Sequence, residues 1–320
     1  MLAALLASGC NRHQSALVPF GEDAATIKGM TIVLVAGAVI IALALAAMTF
    51  SAVRAPEGRL GHKGGMRLVL IAGAIIPTIV LASLLIYALP TMRPAPIGPT
   101  DLRIRVEGHQ FWWRIVYRPS VAGRGVAAAV EAANEIRLPV GRRVLLELDG
   151  GDVVHSLWIP GLAGKMDMIP GRTNQLPVKA DRPGRFRGVC TEFCGLSHAL
   201  MAFEVVAMEP AAFETWLAGQ ARPVAPAPAA SEGATLFAAN GCGGCHQLRG
   251  TAERGGIGPD MTHIGARATI AAGILPNTTA NLARFIKAPQ TIKPGVRMPA
   301  YPQMSDAQAV AIARYLEGLK

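Results

Sequence analysis

Two stretches of the chain carry no charged residue: Met30 to Phe50 and Leu68 to Leu89. Each is about 20 residues, enough to cross ~30 Å of hydrocarbon as a helix. They predict a transmembrane hairpin within residues 30–92. Pro77 interrupts the second run, so a neighbouring helix or a local backbone adjustment must satisfy the carbonyl that proline cannot bond. The connection holds Arg54, Arg59, Lys63 and Arg67 against one acid, Glu57. The positive-inside tendency puts it in the cytoplasm, with both chain ends outside.

From residue 101 the pattern changes period. Leu102-Arg-Ile-Arg-Val106 alternates, and Arg143-Val-Leu-Leu-Glu-Leu148 and Leu176-Pro-Val-Lys179 follow, separated by Gly, Pro and Asp turns. Several short strands across residues 101–209 predict an all-β Greek-key sandwich. Residues 210–230 are expected as a linker, Pro/Ala-rich from Ala221 to Ala230. Proline stiffens that part to a reach of roughly 30 Å. In residues 231–320, Glu232 to Asn240 is helix-like and leads into Cys242-Gly-Gly-Cys-His246.

The densest chemistry lies in Cys190-Thr-Glu-Phe-Cys-Gly-Leu-Ser-His-Ala-Leu-Met201. Two thiolates, an imidazole and a thioether are soft or borderline ligands that suit copper. Two cysteines four apart can each share a sulfur with the same pair of metal ions, which spreads one electron over both. Positions 190, 194, 198 and 201 also match one stripe of a helix. Gly188, Gly195 and strand-like flanks favour a ligand loop between two strands. Cys242-Gly-Gly-Cys-His246 is a c-type haem attachment signal with His246 as proximal ligand. A redox dithiol or half of a zinc site are the other readings of that spacing. For the sixth iron position Met298, on a proline-flanked loop, is expected ahead of Met304, Met261 and His263.

Composition alters this picture little. The net charge of +10 is spread along the chain, with no dense Lys/Arg run interleaved with aromatics, so nucleic-acid binding has no support. The five cysteines divide between the copper loop, the haem signal and Cys10. No pair remains for a structural disulfide, and this usage fits an oxidising compartment. Met1 to Gly9 is apolar and ends in small residues, so residues 1–29 read as a signal-like N-terminus. With Cys10 the segment resembles a bacterial lipoprotein site, which would anchor the mature chain to membrane lipid. An unprocessed apolar N-terminus is the other reading.

These motifs together resemble subunit II of the haem-copper cytochrome c oxidases, with a class I cytochrome c fused at the C-terminal end. Gly108-His-Gln-Phe-Trp-Trp113 resembles that family's aromatic segment, and Lys165-Met-Asp-Met-Ile-Pro-Gly-Arg-Thr-Asn174 a loop that usually ends Pro-Gly-Arg-x-Asn. The resemblance implies a cupredoxin fold for the sandwich and an all-α cytochrome c domain closed by a helix over Asp306 to Gly318. It implies a dinuclear copper (CuA) centre bridged by Cys190 and Cys194. His198 and the Glu192 carbonyl serve one copper, His155 and Met201 the other. The Glu192 side chain reaches a magnesium shared with subunit I. Phe111, Trp112 and Trp113 are implied in electron transfer, Cys242 and Cys245 as haem c thioethers, His246 and Met298 as axial ligands. Gly258-Pro259 resembles the turn whose carbonyl orients the proximal histidine. His109 reads as a structural or interface residue.

The function so implied is electron input to a terminal oxidase. Electrons would pass from soluble or membrane-bound cytochrome c through this chain's haem and copper to subunit I, where oxygen is reduced with proton pumping. Subunits I and III are the expected partners and the bacterial inner membrane the location, with the copper and haem domains on the periplasmic side. Two features depart from the family. Phe111 stands where a tryptophan commonly begins the aromatic segment, and no glutamate lies near Leu70 at the start of the second span. A stand-alone redox carrier feeding another reductase, or a copper-delivery protein, are the competing functions.

Overall fold

The computed structural model describes residues 12–56, 58–91, 98, 102–118, 128–224 and 231–320. Cys10, Glu57 and the linker residues 225–230 lie outside the described residues. The chain divides into a helical unit over Ala25–Pro96 and a second unit holding the rest.

In the helical unit, α1 (Glu22–Arg54) carries the first apolar run, and the second begins at the end of α2 (His62–Leu70). After α2 a π turn over Ile71–Ile75 leads into α3 (Ile76–Ala88). The π turn is the adjustment that Pro77 requires. Ile76 N–H bonds back to Ile71 O, and Thr78 donates its hydroxyl to Ala74 O at 2.8 Å. Both spans are long and apolar enough to cross a membrane, and their large side chains stay exposed in the isolated chain. Thr91 Oγ1 lies 3.2 Å from Met30 Sδ, joining the far ends of the hairpin. The first helix starts at Glu22, earlier than its apolar run, because Glu22 and Asp23 suit a helix N-terminus.

Among the described residues the sandwich has ten strands in two five-stranded sheets. They are β1 (Leu102–His109), β2 (Trp112–Tyr117), β3 (Val130–Ala133), β4 (Glu135–Pro139), β5 (Val144–Gly150), β6 (His155–Trp158), β7 (Met166–Met168), β8 (Asn174–Val178), β9 (Gly184–Cys190) and β10 (Ala202–Met208). One sheet has the order β3-β2-β1-β5-β8, the other β4-β10-β9-β6-β7. The pairs β1·β5 and β4·β10 are parallel, and the remaining neighbours run antiparallel. Period-2 alternation sends Ile104, Val106, Trp113, Ile115 and Phe203 inward to one core. Asn134, in the left-handed region at φ 61, carries the chain from one sheet to the other. Its Oδ1 accepts from Trp113 N–H at 2.9 Å, and its carbonyl accepts from Glu204 N–H at 3.0 Å.

Two expected boundaries change. Residues 210–230 are not linker throughout: α4 (Pro210–Ala221) is a helix whose Phe213 and Leu217 are buried in the sandwich core. Their three- and four-residue spacing with Trp216 makes an apolar stripe, and this outweighs the Pro/Ala composition that suggested a linker. The signal-like segment 1–29 is also shorter than expected. Phe20 is buried in the same core, its N–H donates to Gly161 O at 2.7 Å, and Gly21 bridges to Ala180.

The C-terminal module holds α5 (Glu232–Ala239), the two-stranded β11 (Thr269–Ile270) and β12 (Leu275–Pro276), α6 (Thr279–Lys287), α7 (Pro289–Ile292) and α8 (Asp306–Gly318). A capping box of Ser305 and Gln308 starts α8. Gly233 lets α5 cross α8 closely, since a Cβ there would lie 2.3 Å from Ala311 O. Phe237, Leu282, Ile312 and Leu316 form the module's own core.

Candidate functional site

The cysteine loop joins β9 to β10, whose antiparallel pairing brings its two ends together. Cys190 N–H donates to Met201 O at 2.9 Å and closes its neck. Leu157 on β6 pairs with Cys190 on β9, so His155 at the start of β6 arrives at the same end of the sheet. The ligating atoms of His155, Cys190 and Cys194 lie within 4.8 Å of one another. The two Sγ atoms are 3.9 Å apart, with His155 Nδ1 at 3.9 Å from Cys190 and His198 Nδ1 at 3.7 Å from Cys194. Met201 Sδ stands 3.8 Å from Cys194 Sγ, and Glu192 O 3.3 Å from Cys190 Sγ. All six donors expected from the sequence therefore converge. Two thiols, two imidazoles, a thioether and a carbonyl make a donor set suited to copper.

A further set of contacts orients these groups. Asp152 Oδ1 lies 2.9 Å from His155 Nε2, which leaves Nδ1 facing the sulfur. Asp152 also accepts from Gln110 N–H at 2.8 Å and Val153 N–H at 2.7 Å. Burial alone would raise its pKa, but the hydrogen bonds from His155, Gln110 and Val153 hold it at about 2. Burial disfavours the His155 imidazolium, yet Asp152 and Cys190 outweigh it and raise its pKa. The thiols divide: the hydrogen bond between them and the one with His155 make Cys190 acidic, while the same bond to Cys190, burial and then the Cys190 charge push Cys194 up. Phe193, on the same loop, is 77% exposed with its ring 5.8 Å from that of His198, and Leu196 is 81% exposed.

The second site is a cavity between the module and the sandwich. Cys242, Cys245, His246, Met298 and Met261 line it from the module, and Phe111 and Trp112 from the sandwich. His246 Nδ1 sits 2.9 Å from Pro259 O, the contact expected of the Gly258-Pro259 turn, which leaves Nε2 for a ligand. Burial lowers its pKa, so the ring is held neutral. The Gly258 backbone presses on this ring, since a Cβ there would lie 2.6 Å from it. Of the rivals to Met298, Met304 is buried in the module core, and His263 Nε2 contacts Arg222 O at 3.0 Å. Two free thiols beside an oriented histidine, in a largely apolar crevice, fit a covalently held haem.

The aromatic segment splits by strand alternation. Trp112 stacks on His109 with ring centroids 4.9 Å apart, on the cavity side. Trp113 is fully buried in the sandwich, 6.3 Å from the His155 ring. Phe111 packs against Gly195 of the copper loop and Gly295 of the module. Sequence reading missed the contacts that join the two parts. Ser197 Oγ donates to Pro294 O at 2.6 Å, Ala202 N–H to Ala272 O at 3.1 Å, and Arg187 Nη1 to Gly273 O at 2.6 Å. Arg297, beside Met298, lies 3.5 Å from Asp152. Nothing in the period or composition of either part marks these residues as neighbours.

Comparison with known proteins follows the same division. A family model described as cytochrome c oxidase subunit II, periplasmic domain, matches residues 115–208, and one described as cytochrome c matches residues 230–320. Cytochrome c oxidase subunit 2 of Alkalihalophilus pseudofirmus is 39% identical over 249 residues, covering 74% of this chain and 70% of that protein. The corresponding protein of Bacillus subtilis is 30% identical over 262 residues, covering 74% and 71%. The crystal structure of the periplasmic domain of subunit II of Bradyrhizobium japonicum cytochrome oxidase is 28% identical with a TM-score of 0.35, covering 39% of this chain and 96% of that one.

Proposed function

The chain belongs to the cytochrome c oxidase subunit II family and ends in a cytochrome c domain, and from this we infer that it is the electron-input subunit of a haem-copper terminal oxidase. We read its path as donor cytochrome c, the module's haem, the copper loop, then subunit I, where oxygen reduction and proton pumping take place. Subunits I and III are the proposed membrane partners. The two apolar spans and the periplasmic-domain match support an inner-membrane location with both redox sites on the periplasmic side. Lipid attachment at Cys10 stays part of the proposal. So do the domain limits, revised to a sandwich that includes α4 and a module that begins near Arg222.

Copper bound in the loop would supply a one-electron relay. The residues determine how well it works. Cys190, Cys194, His155 and His198 would hold the copper, with Met201 and the Glu192 carbonyl as weaker ligands. Burial of the thiols excludes water, and Asp152 fixes the His155 tautomer. Cys242 and Cys245 would tether a haem c, and His246 and Met298 would hold its iron, a His/Met pairing that would raise the haem potential. Phe111 and Trp112 line the crevice that the haem would fill, which supports their role between the two centres. The Glu192 carboxylate, half-buried on the loop, is proposed to reach a magnesium at the subunit I boundary.

The observation that carries this reading is the convergence of two thiols, two imidazoles, a thioether and a carbonyl, five of them from one loop and His155 from β6, beside a crevice holding a Cys-Cys-His attachment site. Metal analysis of the purified chain tests it. The expected result is two coppers per haem iron, with mixed-valence dicopper absorption alongside a c-type haem band. Zinc in the loop, or a mononuclear cupric signal, would rule it out.

A further inference from the structure

Lys293 is 2% exposed, and its ammonium forms no ion pair among the described residues. A buried charge without a partner is costly. Burial lowers its pKa to about 7, with Cys194 acting against the shift and Arg187 adding to it. Its Nζ donates to Ala271 O at 3.0 Å. The side chain lines the haem crevice at the junction of module and sandwich, and the residue begins the loop that ends at Met298.

The corner it holds is unusual. Ala271, Ala272 and Gly273 all lie in the left-handed region, at φ 54, 58 and 78. Alanine is strained in that region, and such backbone persists only where its surroundings hold it. All three carbonyls are held: Ala271 by Lys293, Ala272 by the Ala202 N–H, Gly273 by Arg187. The last two donors belong to the sandwich, and Ala202 follows Met201 directly. From within the copper loop, next to His198, Ser197 donates to Pro294, the residue after Lys293. The module thus grips the loop beside both His198 and Met201.

We propose that Lys293 is a positioning residue: by locking the corner Ala271–Gly273 it seats the haem module on the copper loop in a single pose and so fixes the geometry of electron transfer between them. This rests on the functional reading above. The step moves one electron from the reduced module to the oxidised copper loop, with no bond made or broken. It is therefore governed by the separation and orientation that the seat sets.

The test uses the intact oxidase with Lys293→Met, which keeps the length of the stem and removes the donor. Arg187→Met loosens the same corner from the sandwich side and stands in if the first variant does not fold. One readout is amide hydrogen exchange at Ala202, whose N–H is protected by Ala272 O. It is expected to rise about tenfold or more in either variant. The other is the haem-to-copper transfer rate after flash reduction. It is expected to fall by about tenfold or more, as a displacement of ~1 Å can do, and to become viscosity-dependent. Unchanged Ala202 exchange and an unchanged rate in Lys293→Met, or in Arg187→Met where the first variant does not fold, would overturn the proposal. Loss of the copper or haem spectrum in the unsubstituted chain would instead overturn the functional reading beneath it.

Discussion

Asp152 shows how much a single side chain outside the donor set can control. It accepts three hydrogen bonds, one of them from the ring of His155, and keeps its charge down to about pH 2. Asp152→Asn preserves the shape but removes the charge and allows the amide to flip. Copper retention is expected to fall by about 10–100-fold, measured as the rate of metal loss to a chelator. An unchanged rate would mean that packing alone holds the ring. The donors themselves were legible in the sequence because thiols, imidazoles and thioethers at such spacing have few structural uses. Asp152 was within reach too, three residues before His155. Lys293 was not, since its neighbours Ala271, Cys194 and Arg187 are brought to it only by folding.

At the scale of elements, helix α4 marks where composition misleads. Alanine and proline suggested a spacer, yet Phe213 and Leu217 complete the sandwich core, and Phe213 lies 6.2 Å from Tyr117. Phe213→Ala is expected to destabilise the sandwich by about 3–5 kcal/mol, read as a shift in its denaturant midpoint, while the haem band stays intact. Strand alternation, in contrast, was readable from Leu102 onward, because one face of each strand meets the core. What alternation could not reveal is pairing. The parallel neighbours β1·β5 and β4·β10 come from distant segments joined by crossovers, and no local pattern encodes them. The π turn before Pro77 was foreseen only as a need for some adjustment, because several local geometries meet that need.

For the molecule as a whole, the order of parts followed from the sequence, and the seat of the module on the copper loop did not. Residues 101–209 hold 14 Lys/Arg against 12 Asp/Glu, so they offer no strongly acidic surface to steer a basic donor, and Phe111 stands where the family commonly has a tryptophan; we therefore propose that the tethered haem takes over from direct docking of a soluble donor. An oxidase whose subunit ends after Ala221 keeps all of α4 and so is expected to keep its dicopper absorption. Its oxidation of soluble cytochrome c should fall at least tenfold, followed by absorbance decay of the reduced donor. Undiminished turnover would show that electrons reach the copper loop without the module.

Phe193 and Leu196 hold large apolar surfaces in water at the tip of the ligand loop. In a lone, newly made chain they would form a sticky knob, so stoichiometric supply of the partner becomes a matter of solubility as well as respiration. Overproduced by itself, the subunit should clump, and Phe193→Ser should sharpen its light-scattering profile. Cells that make it in excess would then need either a chaperone for that knob or a protease for the surplus.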